Sequence, residues 1–183
     1  TAQGPAQQFV TRLRRIRCIA QGAAGEQQAD GQVHQEKQNQ IETGLGQVIK
    51  KTGLKGRWQQ LGSHPTIICD TGHNEDGIKY IVEQIHEYNY KQLFMVIGMV
   101  NDKDVSKVLS LLPKDAYYFF VQANIPRAMS VKDLFSKGKE AGLSGEMIED
   151  VNLAISEAKK KAGKDDLIFI GGSTFVVAEI NEL

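Results

Sequence analysis

From Ile41 onward, short apolar runs alternate with segments of helical periodicity. Thr66-Ile67-Ile68-Cys69 is mainly β-branched and too short for a helix, the pattern of a strand covered on both faces. Leu93 to Ile97, Tyr117 to Val121 and Leu167 to Ile170 repeat that pattern, and a weaker strand is expected around Met147 and Ile148. Between the runs, helical spacing is kept by Ile78, Ile81, Val82 and Ile85, and by Val105, Val108, Leu109 and Leu112 before Pro113. Further helices are expected through Val131, Leu134 and Phe135, through Val151 to Ala158, and from Phe175 to Ile180. Asn74 and Ser130 stand where N-caps belong. Such alternation implies a mostly parallel sheet with helices on both faces, joined by right-handed crossovers: an α/β, Rossmann-like domain.

In that fold the loops after the strands line one edge and bind ligands there. Those loops are Asp70-Thr71-Gly72-His73-Asn74, Asn101-Asp102-Lys103-Asp104, Asn124-Ile125-Pro126-Arg127 and Gly171-Gly172-Ser173-Thr174. Gly56-Arg57-Trp58-Gln59 leads into Leu61 and the opening strand.

The region before Ile41 is different. Residues 1–40 are rich in Gln, Ala and Gly, with few large apolar side chains after Gln21, so they read as an extension or linker ahead of an α/β domain at 41–183. Within them Phe9, Leu13 and Ile16 lie at helical spacing beside Arg12, Arg14, Arg15 and Arg17, a basic amphipathic helix read as solvated or packed on a partner. A further helix through Ile41, Leu45, Val48 and Ile49 is expected to stop near Gly53. Thr1 in place of an initiator Met reads as a fragment or a processed chain.

Composition narrows the class. The 183 residues carry 22 basic and 22 acidic side chains, so global charge gives no ground for a nucleic-acid partner. No apolar run approaches the roughly 20 residues that span a bilayer, and the N-terminus lacks a secretory apolar core. Two cysteines, Cys18 and Cys69, one inside an expected strand, do not make a disulfide framework; a cytoplasmic location is expected.

Asp70, just past a strand, can accept from ribose hydroxyls or cap the turn that follows, and Arg57 can grip phosphate oxygens or pair with a surface carboxylate. His73 can orient a substrate carboxylate or phosphate, or serve as an ordinary hydrogen-bonding residue of the turn. Gly171-Gly172-Ser173 offers amides and a hydroxyl to an anion, or is a tight turn with a serine cap. Neither a Gly-Lys-Ser/Thr phosphate-binding loop nor a nucleophile triad occurs, and the histidines stand at no metal-ligand spacing, so no metal site is expected.

Five segments in order, Gly56-Arg57-Trp58-Gln59, Asp70 to Asn74, Gly98 to Asp104, Ile125-Pro126-Arg127-Ala128 and Gly171-Gly172-Ser173, closely resemble the C-terminal domain of the folylpolyglutamate synthase/dihydrofolate synthase family, within the Mur ligase superfamily. The resemblance spans Ile41 to Leu183. It implies a small Rossmann-like domain that closes on an N-terminal ATPase domain bearing the phosphate-binding loop and the magnesium ligands. It also implies an ATP-dependent ligase, in which a folate or pteroate carboxylate is phosphorylated and the amine of L-glutamate then forms the amide. ATP, Mg, L-glutamate and folate or dihydropteroate are the expected ligands of such an enzyme. Carried over by position, the resemblance implies that Arg57 and Asp70 contact ATP, that His73 lies at the reacting centre, and that Ser173 and Lys103 meet the incoming glutamate. Without the family's phosphate-binding loop and metal ligands, the 183-residue chain is expected to be inactive alone. Two other readings stand beside this one: a stand-alone α/β module holding an anion or nucleotide, and the corresponding domain of a peptidoglycan Mur ligase.

Overall fold

The computed structural model describes residues 53, 55–101 and 105–183. The two helices expected before Gly53, the division between residues 40 and 41, and Lys103 lie outside the described residues. Gly56–Leu183 form one compact unit. Its strands are β1 (Gln59–Ser63), β2 (Thr66–Cys69), β3 (Leu93–Ile97), β4 (Tyr117–Phe120), β5 (Ser144–Met147) and β6 (Leu167–Gly171). Its helices are α1 (Glu75–Ile85), α2 (Val105–Leu111), α3 (Val131–Glu140), α4 (Val151–Lys161) and α5 (Thr174–Ala178).

The strands form one sheet in the order β1-β2-β6-β3-β4-β5. All neighbours are parallel except β1, which runs antiparallel to β2. Every residue of β3 and β6 is buried, as central strands covered on both faces require. Side chains alternate between the two faces. Met95, Ile97, Tyr118, Phe120 and Phe169 pack with α1, α2 and α3 on one side, whereas Phe94, Val96, Phe119, Ile168 and Ile170 pack with α4 and α5 on the other.

Local chemistry sets the helix starts. Asn74 Oδ1 accepts from Gly77 N at 2.8 Å, Ser130 Oγ from Asp133 N at 3.1 Å, and Asp150 Oδ1 from Leu153 N at 2.7 Å. The two sheet edges depart from expectation. Gln59-Gln60-Leu61-Gly62-Ser63 has no apolar alternation, yet it adds an antiparallel edge strand through backbone pairing with β2, with a register shift between Gln60 and Gly62. At the opposite edge β5 lies three residues earlier than Met147 and Ile148 suggested, beginning at Ser144. Edge strands bury one side at most, so their side chains carry little of the pattern that marks a central strand.

Tyr118 ties the end of α2 to β4. Its ring is fully buried and its Oη donates to Pro113 O at 2.6 Å, and burial pushes the phenol well above its ordinary pKa. Tyr118→Phe should lower stability by about 1 kcal/mol in urea unfolding, because the proline carbonyl loses its donor. An unchanged midpoint would show that this bond contributes nothing.

Candidate functional site

The loop from Gly56 to Gln59 and the loop from Asp70 to Asn74 meet at the carboxyl edge of the sheet. Asp70 joins them: Oδ2 accepts from Trp58 N at 2.7 Å, and Oδ1 accepts from Gly72 N at 2.7 Å. Thr71 N donates to Gly56 O at 3.0 Å, a second bond between the same loops. Gly56 is at φ +73°, and a Cβ there would fall 2.6 Å from Val177 Cγ1, so the loop passes over α5 at a distance only glycine allows.

Burial pushes the Asp70 pKa upward, and the amides of Gly72 and Trp58 together with the Arg57 charge oppose that rise without cancelling it. Each carboxylate oxygen still has a lone pair beyond its amide bond. Asp70 therefore fills the capping role and keeps acceptor capacity for a ligand hydroxyl.

Arg57 is exposed, and with Asp70, Gly72, His73, Asn74 and Tyr80 it lines a cleft of about 450 Å³. A smaller cleft of about 130 Å³ lies between His73, Asn74, Met99, Val100, Val105 and Gly172. His73 and Asn74 belong to both, and so stand on the ridge between them. The ring of His73 is oriented by a 3.1 Å contact from Nδ1 to Thr71 O. A carbonyl oxygen only accepts, so Nδ1 carries the proton and Nε2 of the neutral ring is left as an acceptor.

Ser173 sits differently. It is 3% exposed, and its Oγ accepts from Phe175 N at 3.2 Å as the cap of α5. The wall of the smaller cleft at that point is Gly172, whose φ of +83° and position 2.9 Å from Gly98 O, measured from a would-be Cβ, exclude a side chain. The loops after β3 and β4 are joined by a bridge between Val100 and Ala128 and by Asn101 N donating to Arg127 O at 3.1 Å. The Arg127 guanidinium lies 4.6 Å from the Phe175 ring centre. Arg57, Asp70 and His73 thus share one cleft, Ser173 is buried and lines neither of the two clefts, and Lys103 lies outside the described residues.

Three features escaped sequence reasoning. Trp58 adopts φ +46°, the sole positive φ of a non-glycine residue among those described, a conformation that costs roughly 1–2 kcal/mol for an L-residue. Its indole Nε1 donates to Tyr88 Oη at 3.2 Å. Thr71 Oγ1 is buried without a hydrogen-bond partner among the described residues. No pattern of residue types foretells a positive φ at tryptophan or an unpartnered threonine.

A sequence profile described as Mur ligase, glutamate ligase domain, matches residues 56–174, which include both loops and all but the last helix. The chain belongs to this Mur ligase family. A dihydrofolate synthase/folylpolyglutamate synthase from Buchnera aphidicola subsp. Schizaphis graminum is 33% identical over 132 residues, covering 72% of this chain and 31% of that protein. A probable bifunctional folylpolyglutamate synthase/dihydropteroate synthase from Haloferax volcanii is 32% identical over 134 residues, 72% of this chain and 16% of its own length. Among solved structures, the bifunctional folylpolyglutamate synthase/dihydrofolate synthase from Yersinia pestis CO92 complexed with AMPPNP and Mn aligns with a TM-score of 0.63 at 26% identity, over 73% of this chain and 32% of that one. The Mur ligase domain thus spans under a third of each of these relatives. Among its described residues no helix is long and apolar enough to cross a membrane, and no three His, Cys, Asp or Glu side chains gather as a metal site.

Because burial wins at Asp70, its carboxyl binds a proton more readily in the folded state than in the unfolded one. Its contribution to stability is complete below the unfolded pKa and is lost as pH rises through the raised folded value. Carboxyl NMR should follow Asp70 with a midpoint above 3.8, and a midpoint at or below 3.8 would mean that the amide bonds and Arg57 outweigh burial.

Proposed function

We propose that this chain is the C-terminal domain of an ATP-dependent amide ligase that adds L-glutamate to folate or dihydropteroate through an acyl phosphate. The observation that carries the reading is the pair of clefts sharing His73, one of them lined by Arg57 and Asp70, in a member of the glutamate ligase domain family. The folate-type names of the two relatives above 30% identity favour a folate substrate over a peptidoglycan precursor. Residues 1–40 are assigned to an extension and 41–183 to the domain, and the enzyme to the cytoplasm.

ATP, when bound, supplies the phosphoryl group that activates a carboxylate. In the larger cleft the planar fork of Arg57 holds phosphate oxygens, and Asp70 accepts from ribose hydroxyls with the lone pairs left by its amide bonds. His73 faces the reacting centre from the ridge, with Nε2 available to accept a proton or hydrogen bond from the incoming amine. Ser173 and Lys103 are assigned to the glutamate, Ser173 through the hydroxyl proton that its capping bond leaves free. Magnesium is assigned to the N-terminal ATPase domain of the complete ligase, where the family resemblance puts its ligands. The domain by itself therefore binds nucleotide weakly and turns nothing over.

In the complete ligase, Arg57→Ala should raise KM for ATP by about tenfold or more, the cost of a charged fork. His73→Ala should lower kcat by about a hundredfold with little change in the melting temperature. Unaltered kinetics in both variants would refute the assignment.

A further inference from the structure

Arg57 projects into the larger cleft between two pinned neighbours. On one side, Gly56 N donates to Gln59 Oε1 at 2.9 Å and Gly56 O accepts from Thr71 N at 3.0 Å. On the other, Trp58 is held at φ +46° by its N–H on Asp70 and its indole N–H on Tyr88. The indole ring stacks obliquely beside Phe169 and Tyr88, with centroids 6.1 Å and 6.2 Å away. A side chain needed only to fill the core has no use for a left-handed backbone. Strain of this kind persists where the surroundings over-determine it, and it gathers at functional sites.

Tyr88 follows the carboxyl end of α1, and the amino end of that helix is capped by Asn74 beside His73. The start of α1 follows His73 and Asn74 in the cleft, while Tyr88 beyond its far end, which borders a separate cleft with His64, Asn89 and Asp165, holds the indole of Trp58 next to Arg57. A helix is a rigid strut, here about 16 Å long. We infer that Trp58 and Tyr88 are positioning residues, a brace that fixes Arg57 relative to His73 so that the guanidinium meets the nucleotide phosphates without reordering. The inference rests on the reading of Arg57 as a phosphate-gripping residue. Preorganising one charged fork saves the ordering cost at binding, so its loss is read in affinity for ATP and not in turnover.

The test compares Tyr88→Phe, Trp58→Phe and the double variant in the complete ligase, with Arg57→Ala alongside. Tyr88→Phe keeps the ring and removes the acceptor, while Trp58→Phe keeps the backbone N–H and removes the indole donor. Each single variant should raise KM for ATP about three- to tenfold while kcat and KM for L-glutamate stay nearly constant. The double variant should be no worse than either single one, because one bond is lost in all three. An unchanged KM for ATP beside a raised value in Arg57→Ala overturns the brace and leaves the ligase reading standing. No effect in Arg57→Ala fails that reading itself. Equal losses toward ATP and glutamate, or failure of both single variants to fold, would make the pair a packing element and overturn the brace.

Discussion

The arrangement of the site depends on the carboxylate of Asp70 accepting two backbone amides, one on each oxygen. One amide belongs to the loop that carries Arg57 and the other to the loop that carries His73. Bonds from amides to a partly buried carboxylate are among the stronger ones in proteins, and here they oppose the desolvation of Asp70 without cancelling it. The capping role of Asp70 leaves room for the proposed ligand contact. Two amides occupy one lone pair on each oxygen and leave the others for a ligand.

The fold supplies the platform. Inserting β6 between β2 and β3 brings Gly171 and Gly172 beneath the Asp70 loop and beside the end of β3. The helices that follow β2 and β6 leave on opposite faces, α1 on one and α5 on the other, and a crevice opens where they part. His73 at that parting borders both clefts.

The central strands were plainly legible, because β2, β3, β4 and β6 are apolar on both faces and too short to be helices. The caps at Asn74 and Ser130 were legible for the same local reason: a short polar acceptor ahead of a periodic apolar run. Where no residue of a strand is fully buried the signal faded, so β1 was missed and β5 was displaced by a few residues. At the site, residue types left Arg57, Asp70 and His73 open between ligand contacts and ordinary turn roles, the family resemblance singled them out, and the structure brings them to one cleft. The serine cap at Ser173 was one of the readings the sequence offered, but its burial was not legible, nor was the positive φ of Trp58 held by Tyr88. Those are consequences of pairings between residues 30 apart for Trp58 and Tyr88, and such pairings exist only once the chain has folded.

The central claim is that nucleotide binds at the carboxyl edge, against the loops joined by Asp70. Backbone-amide NMR of the chain titrated with millimolar ADP tests it most directly. Shifts are expected to concentrate at Arg57, Trp58 and Asp70 through Asn74, with Tyr88 following through its bond to the indole. A separate cleft, lined by His64, Asn89 and Asp165, lies away from these loops, and shifts confined to it, or none at all, would contradict nucleotide binding at the carboxyl edge.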